Sequence, residues 1–198
     1  MKYLDELIDR YPVLSACRGG IEAAFHALST CYASGGKLLV CGNGGSSADA
    51  DHIVGELMKG YLKPRPPAED LRARLRAADT VLGPALADHL QGALPAVNLT
   101  AGSALLSAFG NDVRPDLAYA QAAFGHGKKG DVLLGISTSG NAANVRSALG
   151  LTGRGGGKMA GLCDILINVP ADRTFEIQEL HLPVYHCLCA MLEERFFA

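Results

Sequence analysis

Four short apolar runs, at residues 37–41, 96–100, 131–136 and 164–169, alternate with stretches whose apolar residues recur at helical spacing. That alternation constrains the chain more than any other feature. A brief run rich in Leu, Val and Ile suits a strand covered on both faces. Strands separated by helices run parallel, because each helix carries the chain back to the starting edge. The pattern therefore predicts an α/β fold, a doubly wound parallel sheet flanked by helices. Helices are expected at residues 47–61, 103–109, 115–125 and 142–149, and over about 174–197. Two more precede the first strand. Leu4, Leu7, Ile8 and Tyr11 mark one that Pro12 interrupts, and residues 21–32 form another, ended by the Gly35-Gly36 pair.

A chain of 198 residues is one domain's worth, so a single domain over 1–198 is expected, with N-terminal helices at 1–34. Residues 62–94 fit the alternation least well. They open with three prolines, and then Arg72, Arg74 and Arg76 follow Glu69 and Asp70. With Lys63 and Arg65 these basic residues form either a patch for an anionic partner or, the better reading, a solvated helical insertion. A net charge of −2 gives no reason to expect nucleic acid as the main ligand. No apolar run approaches the ~18 residues of a membrane helix. The charged N-terminus has no apolar signal core, and six cysteines without a CxxC pair read as reduced thiols, so a cytoplasmic protein is expected.

Glycine supplies 24 of the 198 residues, well above the ~7% of average usage, and it clusters. Cys41-Gly-Asn-Gly-Gly-Ser-Ser47 follows the first strand and opens a helix, whose free N–H groups suit an anion. Ile136-Ser-Thr-Ser-Gly-Asn141 does the same after a later strand and adds three hydroxyls. Neither is a Walker loop or a GxGxxG motif. Two such loops at equivalent places in one sheet point to a phosphorylated small molecule. Gly153-Arg-Gly-Gly-Gly-Lys158 is a weaker third candidate. His52 and Glu56, four apart on the helix after the first loop, share a face. Gln178 and His186, eight apart on the last helix, point broadly the same way. His and Glu are ordinary ligands of a divalent metal, and also serve as acid and base; Gln is a less usual donor. His181 lies off that face and reads as structural. Asn111-Asp112 follows an apolar helix, where the Asp reads first as a cap.

CGNGGSSADADHIVGEL, GND, GDVLLGISTSGN, LTGRGGGKMAGLCD and ADRTFEIQELHLPVYH together resemble the phosphoheptose isomerases of the sugar isomerase (SIS) fold. The resemblance covers most of the chain except residues 62–94. It implies an aldose–ketose isomerase that converts D-sedoheptulose 7-phosphate to D-glycero-D-manno-heptose 7-phosphate through an enediol, the first step of nucleotide-activated heptose biosynthesis. It also implies a cytoplasmic homotetramer with interfacial active sites and one zinc ion per subunit. By motif, His52, Glu56, Gln178 and His186 match the metal positions. Asn43, Gly44, Gly45, Asn111, Asp112, Ser137, Thr138 and Ser139 match the substrate contacts, together with Glu56 and Gln178. Glu56 is then the expected base and His186 the expected acid. A rival reading is a non-catalytic SIS-domain protein, either a sugar-phosphate sensor or the type that binds the bacterial replication initiator. That regulator lacks the acid matching Glu56 and the histidine matching His186, and both are present here.

Two departures from the family pattern stand out. Ala142 replaces a serine common after SGN, a lost hydrogen bond worth about 1.5–3 kcal/mol when the partner is charged. Only residues 142–150 separate Asn141 from Leu151. A helix there travels about 13 Å away from the loop, leaving nothing to return as a parallel strand. The expectation is that about a dozen residues are missing from this stretch rather than that the sheet has lost a strand.

Overall fold

Five parallel strands form one sheet in the order β2-β1-β3-β4-β5: β1 Leu38–Gly42, β2 Ala96–Asn98, β3 Val132–Ser137, β4 Leu149–Thr152 and β5 Ile165–Asn168. The computed structural model describes residues 1–145 and 147–197. Helix α1 (Lys2–Arg10) ends before Pro12, and a 3₁₀ segment (Pro12–Cys17) leads into α2 (Arg18–Ala33). Helix α3 is Gly45–Met58, α6 Ser103–Asp112, α7 Ala118–His126 and α8 Thr174–Phe196. Each expected strand and all but one of the expected helices are present.

Alternation along β1 shows how the sheet is covered. Leu38 and Val40 join the main core beneath α1, α2, α3 and α8, with Leu134, Ile136, Leu149 and Leu151 beside them. Leu39 and Cys41 point the other way, into a smaller cluster with Leu99, Ala122 of α7 and Val145. The period-2 pleat sends successive residues to opposite faces, so both faces of β1 must be apolar. Helix α8 continues through Pro183, whose missing amide leaves the Glu179 carbonyl without its helical donor.

The insertion is a helical hairpin of α4 (Glu69–Ala78) and α5 (Leu82–His89), and α4 buries none of its residues. Its root is different. Arg65, grouped by sequence with the solvated charges, is buried against Glu193 of α8 at 2.8 Å, the two side chains 0% and 1% exposed. Glu193 also accepts the backbone N–H groups of Tyr61, Leu62 and Lys63 at 2.7–3.0 Å. Arg65 in turn donates to the carbonyls of Leu57 and Glu56, at the carboxyl end of α3, and stacks on Phe197.

The crossover after β3 corrects the sequence reading. Among the described residues of 142–148 there is no helix, and a strand, β4, starts at Leu149 with Leu134↔Leu149 to Ser137↔Thr152 in register. Residue 146, within the expected helix, lies outside the described residues. The described residues between Ser137 and Leu149 are non-helical, and such chain covers ground faster than the 1.5 Å per residue of a helix. It lies directly on the sheet face at Gly135, where a Cβ would meet Ser147. Val145 is buried there, and Met159 from a 3₁₀ segment (Gly157–Gly161) packs against Gly150. With β4 paired to β3, the sheet keeps five strands with no missing residues required.

Candidate active site

A cavity of about 360 Å³ opens where the carboxyl ends of β1 and β3 meet the start of α3. Residues 43–46 line one side and residues 136–139 the other, with Ala142, Thr174 and Gln178 completing it. The expected substrate contacts Asn43, Gly44, Gly45, Ser137, Thr138, Ser139 and Gln178 are therefore brought together. Gly45 lies so close to the Gln178 amide that a Cβ there would collide with it.

Asn43 is held by two partners. Its side-chain amide pairs reciprocally with Asn144 at 2.9 and 3.1 Å, and Tyr119 donates to its Oδ1 at 3.0 Å. Both partners were invisible to motif reading. Asn144 belongs to the shortened crossover, whose path no periodicity foretold.

The glycine loop leads into a helix and the hydroxyl loop does not. Helix α3 begins at Gly45, but among the described residues no helix begins directly after Asn141, so the N-terminal partial charge expected from the sequence is not seen on this side. The groups this loop offers to the cavity are the Ser137, Thr138 and Ser139 hydroxyls and nearby amides. The third glycine cluster supports that loop instead of lining the cavity. Gly153 N–H donates to Thr138 O, Lys158 N–H to Asn141 Oδ1 and Met159 N–H to Gly140 O, each at 3.0–3.1 Å. Gly140 takes a φ of 64° and presses on the Gly156 carbonyl, a place that only glycine fills without strain.

A second convergence lies between α3 and α8. His52 Nε2 is 3.3 Å from Glu56 Oε1 and 3.3 Å from His186 Nε2. Ligands around a tetrahedral zinc with bonds of 2.0–2.1 Å stand about 3.3–3.4 Å apart, so both separations fit two edges of such a site. Among the described residues no group of three or more His, Cys, Asp or Glu is already closed around one point; here His52 is the shared vertex of two pairs. Donor chemistry and spacing nevertheless suit a divalent cation. Gln178 stands apart from this trio, eight residues or about 12 Å along α8 from His186, at the phosphate-type cavity.

Burial, reinforced by His52 and Arg10 and opposed by Glu56, holds His186 below its ordinary pKa. Its ring is thereby suited to be neutral, with one nitrogen free to accept a proton. Tyr61 lies beside it, ring centroids 5.6 Å apart, and both His186 and Tyr61 border a second cavity of about 290 Å³ between α1 and α8. Sequence reading also passed over Asp49 and Tyr185; the Tyr185 hydroxyl bridges Asp49 and His52. Asp49 carries a legible signal, one turn before His52 on α3; Tyr185 reads only as an apolar-face aromatic.

Asn111 and Asp112 are the last residues of α6, not residues beyond it. They are exposed and hydrogen-bonded to each other, and the chain does not bring them to either cluster. His181 is fully buried with neither ring nitrogen hydrogen-bonded among the described residues, and burial, outweighing the nearby Thr152 backbone, pushes it down to about 4. Among the described residues no helix is long and apolar enough to cross a membrane.

Comparison with known proteins places this arrangement. The SIS domain family matches residues 2–82. A phosphoheptose isomerase of Rhodospirillum rubrum is 38% identical over 192 residues, covering 91% of this chain and 88% of that protein. One from Campylobacter jejuni is 37% identical over 190 residues, covering 90% and 88%. Among solved structures, a phosphoheptose isomerase from Neisseria gonorrhoeae superposes with a TM-score of 0.71 at 32% identity, covering 95% of this chain and 94% of that one. One from Francisella tularensis gives 0.75 at 28% identity, covering 98% and 95%.

Proposed function

The chain belongs to the SIS-domain phosphoheptose isomerase family, and from that premise we propose that it is a phosphosugar isomerase interconverting D-sedoheptulose 7-phosphate and D-glycero-D-manno-heptose 7-phosphate. The observation that carries the assignment of roles is the meeting of His52, Glu56 and His186 about two helical turns along α3 from a loop cavity suited to a phosphate.

The reaction moves a proton between C1 and C2 of the sugar. Glu56 takes the proton from C1 of the ketose, and the electron pair left behind forms the C1–C2 double bond of an enediol as the C2 carbonyl oxygen gains a proton. The O1 proton is then lost as the aldehyde forms, and Glu56 returns a proton to C2. His186 suits the oxygen-to-oxygen transfer, since a neutral imidazole accepts on one nitrogen and donates from the other. Ser137, Thr138 and Ser139 bind the phosphate, while Asn43, Gly44, Gly45 and Gln178 hold the sugar between the loops. With no hydroxyl at Ala142, phosphate affinity rests on the three hydroxyls, nearby amides and the start of α3 across the cavity.

A zinc ion, one per subunit, belongs to this reading, with His52, Glu56 and His186 as ligands from this chain. When bound it would stabilise negative charge on the enediol oxygens. Gln178 is the fourth family ligand, and its place at the loop cavity favours its substrate role. A cytoplasmic homotetramer with interfacial sites completes the proposal; Asn111 and Asp112, remote from both clusters in their own chain, would serve a neighbouring subunit's site.

The test is turnover of sedoheptulose 7-phosphate followed by loss of the ketose, with and without supplied zinc. Activity in the wild type that disappears in Glu56→Gln and His186→Ala supports the roles. Equal inertness of all three with zinc present overturns the enzyme reading.

A further inference from the structure

We propose that Tyr185 and Asp49 are positioning residues that hold the His52 ring in its Nδ1–H tautomer, so that Nε2 presents a lone pair to Glu56 and His186. The Tyr185 hydroxyl lies 3.2 Å from Asp49 Oδ1 and 3.1 Å from His52 Nδ1. A phenol has one proton to give, and an ionised carboxylate only accepts. Asp49 is buried enough that its Oδ2 has no partner at all among the described residues. The Tyr185 proton therefore goes to Asp49 Oδ1, and the phenol oxygen turns a lone pair toward His52. The ring nitrogen facing it must then carry the hydrogen.

The consequence falls on the far side of the ring. Neutral imidazole in water prefers Nε2–H, which would aim an N–H at Glu56 Oε1 and offer no lone pair to the cluster. With Nδ1 protonated, His52 Nε2 and Glu56 Oε1 face each other as two acceptors at 3.3 Å, an arrangement that calls for a cation or a proton between them. Packing fixes the relay in place: Tyr185 is 2% exposed and meets the His52 ring edge-on at 5.4 Å between centroids. This inference rests on the site reading above only where it concerns the metal; the tautomer itself does not.

The experiment is two-bond ¹H–¹⁵N correlation of the imidazole nitrogens in ¹⁵N-labelled, metal-free full-length protein near neutral pH. His52, identified by its absence from His52→Gln, is expected to show a protonated Nδ1 and an unprotonated Nε2. Tyr185→Phe removes the acceptor, and Asp49→Leu frees the Tyr185 proton to turn onto Nδ1. Both are expected to move His52 to Nε2–H. Zinc affinity, measured by competition with a chromophoric chelator, is expected to fall 10–100-fold in each. A wild-type His52 in the Nε2–H form, or Nδ1–H retained in both variants, overturns the proposal. If the tautomer moves as expected while zinc affinity does not, the relay stands and His52 as a metal ligand fails.

Discussion

Replacing Glu193 with Gln removes one charge from the buried pair while keeping its shape. Arg65 is then left with a full positive charge at 0% exposure and no counter-ion. Breaking a buried pair from one side costs about 3–5 kcal/mol, against a total stability of about 5–15 kcal/mol for a domain. The loss reaches further than the pair. Glu193 also accepts from the Tyr61, Leu62 and Lys63 amides, and an unsatisfied buried donor costs about 1–3 kcal/mol. Urea unfolding at fixed protein concentration should therefore show a midpoint lowered by at least about 3 kcal/mol divided by the urea slope. The double variant Arg65→Met/Glu193→Leu separates the two effects. It relieves the orphaned charge but not the orphaned amides, so it should recover only part of the loss. A cost below about 1 kcal/mol for Glu193→Gln, or a double variant as stable as the wild type, would refute this account of how the insertion is anchored.

The same carboxylate predicts a pH dependence. Burial pushes Glu193 up, but the Tyr61 and Leu62 amides and the Arg65 guanidinium outweigh it and hold the group below its ordinary value. Its stabilisation is thus complete above the ordinary glutamate range and is lost as pH falls through the lowered folded value, an acid slope that Glu193→Gln should flatten. His181 acts over a higher window: about 4 when folded against about 6.5 when free, so the unfolded chain binds the extra proton and stability falls by roughly 3 kcal/mol from pH 6.5 to 4. His181→Leu should remove that slope in thermal melts across the range, and an unchanged slope would contradict it. Gly140→Ala forces a Cβ into the Gly156 carbonyl at a left-handed φ, so it should raise KM for the phosphorylated substrate by at least about tenfold while also lowering the melting temperature. Thr138→Ala should raise KM without changing kcat, since it removes binding that is equal in ground and transition states; a fall in kcat alone would reassign it.

Periodicity alone determined the architecture. Apolar runs ending at glycine loops, separated by helical repeats, leave a parallel sheet as the way to satisfy both patterns, and four of the five strands are where those runs fall. The grouping of the two loops, and the shared face of His52 and Glu56, also follow from spacing within single elements. Beyond one element the sequence is silent. Leu149 reads as the end of a helix and Gly150–Thr152 as no strand, because LGLT has no apolar run long enough to announce one; the segment becomes a strand through pairing with β3. Arg65 reads as a solvated charge because its partner lies 128 residues away, and only tertiary packing reveals a carboxylate that offsets the cost of burying it. Tyr185 looks like core until Asp49 and His52 are seen on either side of its hydroxyl. Local propensity is written into neighbouring residues, whereas register, burial of charge and the direction of a shared proton depend on groups that only folding brings together.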